Sequence, residues 1–219
     1  MSYFFLEHST DTSEVGHVSW GQLDLITPYN ADELLDKNIN IKIQCQQKKR
    51  AKLTDLVSCF KLGIGNNYII SQRMRVLLET FYLQPHSFST CCIEKVDGSF
   101  VEYNVLHFND NFFSQAVDFN RSVFRVADTC TFPLTGEEPI VHVTGYLDYM
   151  SKKEDLALKL LELRAERIVV DEHFNKKYDM LSFYPFDEHT YISEKLRNVL
   201  INEQVSGVKL TETPSLGMF

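Results

Sequence analysis

Apolar residues recur along this chain with two different periods, and the switches between them lay out most of its elements. In "INIKIQC" the apolar residues Ile39, Ile41, Ile43 and Cys45 alternate with polar ones, which is the period of a half-buried strand. "SYFFLEH" predicts a short aromatic strand, "GHVSWGQLDLI" a strand pair marked by its turn glycines, and "ADELLDK" a single helical turn. "GSFVEYNVLHF" is entered through the turn "VDGS" and puts Val101, Tyr103 and Val105 on the face opposite Phe100, Glu102 and Asn104. "SFSTCCIEKV" and "IVVDEHF" predict further strands.

The helical period appears in three places. Behind Ser71, Met74, Leu77, Leu78 and Phe81 fall at i, i+3, i+4 and i+7, so Ser71 is the expected N-cap and Pro85 the expected stop. Behind Ser193, Leu196, Val199 and Leu200 do the same, and Ser206 with Gly207 is the expected end. "SKKEDLALKLLELRAER" reads as the clearest helix, with a Ser151/Glu154 capping box and a stripe of Leu156, Leu160 and Leu163.

The first two helices belong to one repeated phrase. "IISQRMRVLL" returns as "YISEKLRNVL", shifted by 122 positions from Ser71 to Ser193. Ile70 matches Ile192, Arg73 matches Lys195, Met74 matches Leu196, Arg75 matches Arg197 and Leu78 matches Leu200. Upstream, "DLVSCF" matches "DMLSFY" once two residues of the turn are skipped, which extends the likeness beyond what any amphipathic helix would show. We read an internal duplication of a strand-helix-strand unit within an α+β fold of mixed or antiparallel sheets and a few helices.

The chain has 219 residues, 44% of them hydrophobic and 24% charged, with 9 Gly and 6 Pro and no linker-like stretch, so one continuous domain over 1–219 is expected. Two packed halves suit it, a β-rich 1–54 and a 55–219 that carries both repeats. The net charge is −8, with 22 Lys and Arg against 30 Asp and Glu, which argues against nucleic acid as a partner and for a basic one. The basic run "QQKKRAK" lacks interleaved aromatic residues and reads as a solvated turn.

The start "MSYFFLEHSTDTSEVGH" lacks a charged n-region and a long apolar stretch, so neither a signal peptide nor a membrane anchor is expected, and the cytoplasm is the expected location. Cys45, Cys59, Cys91, Cys92 and Cys130 form no C-x-x-C pair, and we read them as reduced packing residues, with Cys91 and Cys92 on opposite faces of a strand.

No phosphate loop, dinucleotide fingerprint, nucleophile elbow or H-E-x-x-H pair is present. The most suggestive polar feature is "DEH", at Asp171–His173 and Asp187–His189, where carboxylate beside imidazole has the makings of a metal ligand or a tuned base. Neighbouring strand residues face opposite ways, so a surface role is the simpler reading. His107 and His142 occur in apolar, strand-like contexts, as hydrogen-bonded core histidines do, and Trp20 reads as a core anchor. Arg75 and Arg197 call for an internal ion pair or carbonyl contact.

The repeated phrase, the "VEYNVLHFND" segment between its copies and the terminal "MLSFYPFDEHTYISEKLRNVLINEQVSGVKL" together resemble the immunity proteins of bacterial polymorphic toxin systems, in the group called immunity family eleven. That resemblance covers around half of the chain and departs from the family pattern in the N-terminal third. It implies a non-enzymatic inhibitor that binds a cognate toxin effector domain in the producing cell, and it transfers no functional residue; in the absence of cofactor- and metal-binding motifs no cofactor or metal is expected. The charge fits a basic enzyme cleft such as a nuclease, with Asp110, Asp118, Glu137, Glu138, Asp171, Glu172, Asp187 and Glu188 as candidate toxin contacts. The competing classes are a hydrolytic or metal-dependent enzyme built on the "DEH" segments and His142, and a module whose duplicated half mediates self-association.

Overall fold

A computed structural model describes residues 3–18, 21–26, 43–59, 67–109, 112–128, 137–172, 174, 177–213 and 217–218. In chain order its strands are β1 (Tyr3–His8), β2 (Leu23–Leu25), β3 (Ile43–Gln47), β4 (Leu56–Val57), β5 (Asn67–Ile70), β6 (His86–Glu94), β7 (Phe100–Phe108), β8 (Val123–Asp128), β9 (Ile140–Val141), β10 (Leu161–Arg167), β11 (Val169–Val170), β12 (Met180–Ser182), β13 (Thr190–Ser193), β14 (Val208–Glu212) and β15 (Gly217–Met218). The helices are α1 (Thr12–Val15), α2 (Gln72–Leu78), α3 (Tyr146–Ala157) and α4 (Glu194–Asn202). The fold is α+β with mixed and antiparallel sheets. The predicted turn in "ADELLDK", Trp20 and the first part of "INIKIQC" lie outside the described residues.

Two compact units divide the chain. Unit 1 takes Met1–Asp110, Lys177–Tyr184 and Glu188–Glu212; unit 2 takes Asn111–Lys176, Pro185–Asp187 and Thr213–Phe219. Residue 54, where the sequence suggested a seam, lies inside unit 1.

Unit 1 contains the duplication, and it is larger than the repeated phrase. One sheet runs β2-β3-β6-β7-β5-β4 and another β12-β13-β1-β14. In the first, Leu56 of β4 faces Ile70 of β5, Ile70 faces Asn104 of β7, and Phe108 of β7 faces His86 of β6. In the second, Met180 of β12 faces Ile192 of β13, Ile192 faces Phe4 of β1, and His8 of β1 faces Val208 of β14. All six pairings are antiparallel and the registers coincide. β4, β5, α2, β6 and β7 therefore make one copy, and β12, β13, α4, β14 and β1 make the other. The last strand of the second copy comes from the start of the chain, so the duplication is circularly permuted.

Packing follows from the register. Side chains alternate across each strand, so Leu56, Tyr68, Ile70, Leu106 and Phe108 from the first sheet join Leu6, Met180 and Ile192 from the second in one core. The apolar stripes of α2 (Met74, Leu78) and α4 (Leu196, Leu200) fill the same core. On its other face the first sheet buries Leu23, Ile43, Cys45, Val57, Ile69, Cys91, Ile93, Tyr103 and Val105. This sheet curls until its edges meet: the N–H groups of Gln22 and Leu23 both donate to Ser58 O, at 2.8 and 3.1 Å, and Leu23 bridges Cys59 beyond β4.

Unit 2 corrects one expectation. The helix expected from Ser151 instead spans Tyr146–Ala157, with Gly145 as cap and Ser151 in its middle, and "LELRAER" is strand β10. Thr144 N–H and its hydroxyl both donate to the Asp148 carboxylate, at 2.8 and 3.2 Å, so the start of the helix is held from within its first turn. Leu160, placed in the predicted stripe, has φ 59° and breaks the helix before Leu161. In β10, Leu161, Leu163 and Ala165 alternate with Glu162, Arg164 and Glu166, a period of two that pairs with β8. The Tyr149 ring packs on Phe124 and Phe186, and its hydroxyl donates to Leu163 O at 3.2 Å and Pro185 O at 2.7 Å.

Candidate functional site

The polar residues that the duplication brings together hold the two copies to each other. In the first copy Ser71 Oγ donates to Asp55 Oδ1 at 2.7 Å and accepts the N–H of Met74, which caps α2. In the second, Ser193 Oγ donates to Asp179 Oδ1 at 2.7 Å and accepts the N–H of Leu196, which caps α4. The remaining carboxylate oxygen of each Asp reaches across. Asp55 Oδ2 accepts from the N–H and hydroxyl of Ser206, both at 3.0 Å, just beyond α4. Asp179 Oδ2 accepts from the N–H of Tyr82 at 3.1 Å, just beyond α2.

Cations complete both junctions. Arg73 pairs with Asp55 and donates to the Glu203 carbonyl; Lys195 pairs with Asp179 and lies 4.9 Å from the Phe81 ring centroid. Burial opposes ionisation of Asp55, but the hydrogen bonds from Ser206 and Ser71 and the charge of Arg73 outweigh it and hold its pKa below the usual carboxylate value. Gly207, with φ 80°, marks a close approach of backbone to backbone: a Cβ there would lie 2.1 Å from Leu56 O. The sequence expected Ser206 and Gly207 to end α4, but the helix ends at Asn202. Gln204, at φ 50°, takes the left-handed turn.

Two tyrosines repeat the pattern. Tyr3 hydroxyl donates to Tyr178 O at 3.0 Å and Tyr103 hydroxyl to Thr54 O at 2.9 Å, at equivalent places in β1 and β7. Burial, with the nearby negative charge of Asp179 or Asp55, pushes both phenols up to about 12.

The sequence-derived candidates do not form one cluster. Asp118, Glu137, Glu138, Asp171, Glu172 and Asp187 belong to unit 2 and Glu188 to unit 1, while Asp110 lies outside the described residues. Asp118 accepts from the N–H groups of Asn120 and Arg121, which fixes a turn, and Glu137 and Glu172 are exposed. Of the "DEH" segments, His173 lies outside the described residues, and the His189 ring stacks on Phe5 with centroids 4.2 Å apart. His107 is buried and its Nδ1 meets Asn67 Oδ1, as expected of a core histidine; His142 is exposed and outside any strand, contrary to the reading of its context. Among the described residues, no group of three or more His, Cys, Asp or Glu is arranged to hold a metal ion.

Sequence reasoning missed a set of surface residues. Ile140 is 65% exposed, Leu147 83%, Leu158 87% and Leu160 75%, all in unit 2. Leu147 and Leu158 lie eleven residues apart, three turns along one line of α3 and the residue that ends it. A helical reading of the following strand hides this signal, because it places Leu160 in an apolar stripe with Leu156 and Leu163. Among the described residues no helix is long and apolar enough to cross a membrane. No known protein family matches the chain, and no curated protein does.

Proposed function

We propose that the chain is an immunity protein: a cytoplasmic, non-catalytic inhibitor that binds a cognate bacterial toxin effector and protects the producing cell. The observation that carries this reading is the composition of unit 2. It contains 12 Asp and Glu against 8 Lys and Arg, half of the chain's net charge of −8 in about a third of its length, and presents four strongly exposed aliphatic side chains. Exposed apolar side chains on a unit with an acidic excess suit a contact in which charge steers a basic partner and desolvated aliphatic groups retain it. A nuclease, whose cleft must attract phosphates, is the toxin class that fits best. Asp118, Glu137, Glu138, Asp171, Glu172 and Asp187 are the acidic contacts this reading favours.

The test is capture followed by rescue. Tagged full-length chain, washed at moderate salt in lysate of its own host, should retain one stoichiometric protein with a toxic terminal domain. Co-expression of the chain with that domain should restore growth. A retained domain whose toxicity the chain leaves unchanged, or the absence of any stoichiometric partner, overturns the reading.

A further inference from the structure

Arg75 and Arg197 occupy one position of the duplicated unit, and their surroundings differ in a way that points outward. The Arg75 guanidinium lies 4.6 Å from the Phe88 ring centroid. Its Nε donates to Glu79 Oε1 at 2.9 Å and its Nη1 to Asn104 Oδ1 at 2.7 Å. The Arg197 guanidinium likewise lies on an aromatic ring, 4.5 Å from the centroid of Phe4.

Here the copies part. The shift of 122 positions puts Ile201 where the first copy has Glu79, and the equivalence of β1 with β7 puts Phe4 where it has Asn104. Both internal acceptors of the first copy are thus apolar in the second. Arg197 keeps one hydrogen bond, from Nη1 to its exposed neighbour Asn198 at 3.2 Å, and its Nε has no acceptor among the described residues. Ile201, one turn along α4, is 50% exposed, and Phe4 and Leu210 are half-buried and pack against the core.

A guanidinium seated on an aromatic ring, flanked by an exposed aliphatic side chain and short of a carboxylate, has the composition of a binding hot spot. We propose that the Arg197 face of α4 docks a protein partner through an aspartate or glutamate side chain with apolar neighbours, the incoming carboxylate meeting the terminal Nη groups of the guanidinium, since its Nε is closed. Glu212, exposed and opposite Phe4 in the β1–β14 pairing, suits a basic residue next to that acid. This contact is on unit 1 and does not depend on the partner being a toxin.

The experiment uses full-length chain labelled with 15N at arginine. The Nε–H of Arg197 is closed to water, which slows its exchange and favours detection. The probes are acetyl-Leu-Glu-Leu-amide, its Leu-Gln-Leu counterpart, and acetate. The glutamate peptide should shift the Arg197 signal saturably, with at least tenfold weaker responses to the glutamine peptide and to acetate, and none at Arg75. Ile201→Glu restores the first copy's carboxylate within the chain and should weaken the glutamate-peptide response tenfold or more; Ile201→Gln should preserve it. Ile201 is half exposed, so neither change disturbs the core. Equal responses to the two peptides, a full response to acetate, an equal response at Arg75, or an undiminished response in Ile201→Glu would each overturn the proposal.

Discussion

Asp55 of the first copy accepts two hydrogen bonds from Ser206 of the second, a residue 151 positions away, and thereby joins the cap of α2 to the end of α4. Asp179 returns the contact through Tyr82, so each copy's helix cap is anchored on the other copy's helix end. Removing either carboxylate strands several donors at once. Asp55→Ala and Asp179→Ala should each destabilise the protein by about 2–3 kcal/mol, and Ser71→Ala and Ser193→Ala by about 1 kcal/mol. Urea unfolding of the four variants reads this, and a loss confined to the Asp55 side would contradict the reciprocity.

The permuted duplication makes Tyr3 and Tyr103 equivalent although one stands near the start of the chain and the other near its middle. Each donates one buried hydrogen bond to a backbone carbonyl immediately before the anchoring Asp. Tyr3→Phe and Tyr103→Phe should cost about 1 kcal/mol each, within a few tenths of each other. Calorimetric unfolding would decide it; a neutral Tyr3→Phe would mean that β1 is not an integral strand of the second copy.

Gly98 and Gly207 share φ 80° but differ in their surroundings. An added Cβ meets nothing within 4 Å at Gly98, whereas at Gly207 it meets Leu56 O and the Thr54 side chain. Gly98→Ala should therefore lose only the left-handed backbone cost, about 1 kcal/mol. Gly207→Ala should lose several times more, read as the difference between the two unfolding midpoints.

His8 sits in β1 with its Nδ1 closed to water and without a partner among the described residues, and burial lowers its pKa to about 4. The unfolded chain takes up this proton near pH 6.5, the folded chain only near 4, so stability should fall across that window as pH drops, by up to a few kcal/mol. Asp55 acts below it: its lowered pKa contributes stability above the unfolded value, lost as pH falls through the folded one. Phe108 occupies the place of His8 in the first copy. His8→Phe should flatten the pH 4 to 6.5 portion of the stability curve, and an unchanged slope would assign it to other groups.

Local chemistry made much of unit 1 readable. Ser71 and Ser193 announce caps because a hydroxyl before an apolar i, i+3, i+4 series has few other uses, and "GSFVEYNVLHF" announces a strand by alternation. In unit 2 the same reasoning failed at "LALKLLELRAER", where a leucine-rich helix end runs into a strand without a glycine or proline between them. The period changes from 3.6 to 2 at Leu160, and its left-handed backbone is a three-dimensional fact that a leucine does not advertise. Of the surface, the acidic excess was legible, but the exposure of Leu147 and Leu158 was not, since apolar helix residues ordinarily face a core.

The sequence by itself determined the elements whose signals are local: the alternating strands, the two Ser-capped helices, the turn at Gly98, and the presence of a repeat. The tertiary structure decided that β1 completes the second copy, that each carboxylate crosses to the opposite helix end, and that Arg75 is satisfied internally while Arg197 lacks the same acceptors. These depend on pairings between residues about 30 to 210 positions apart, where the register of one strand against another, and not the order of residues along the chain, fixes which side chains meet.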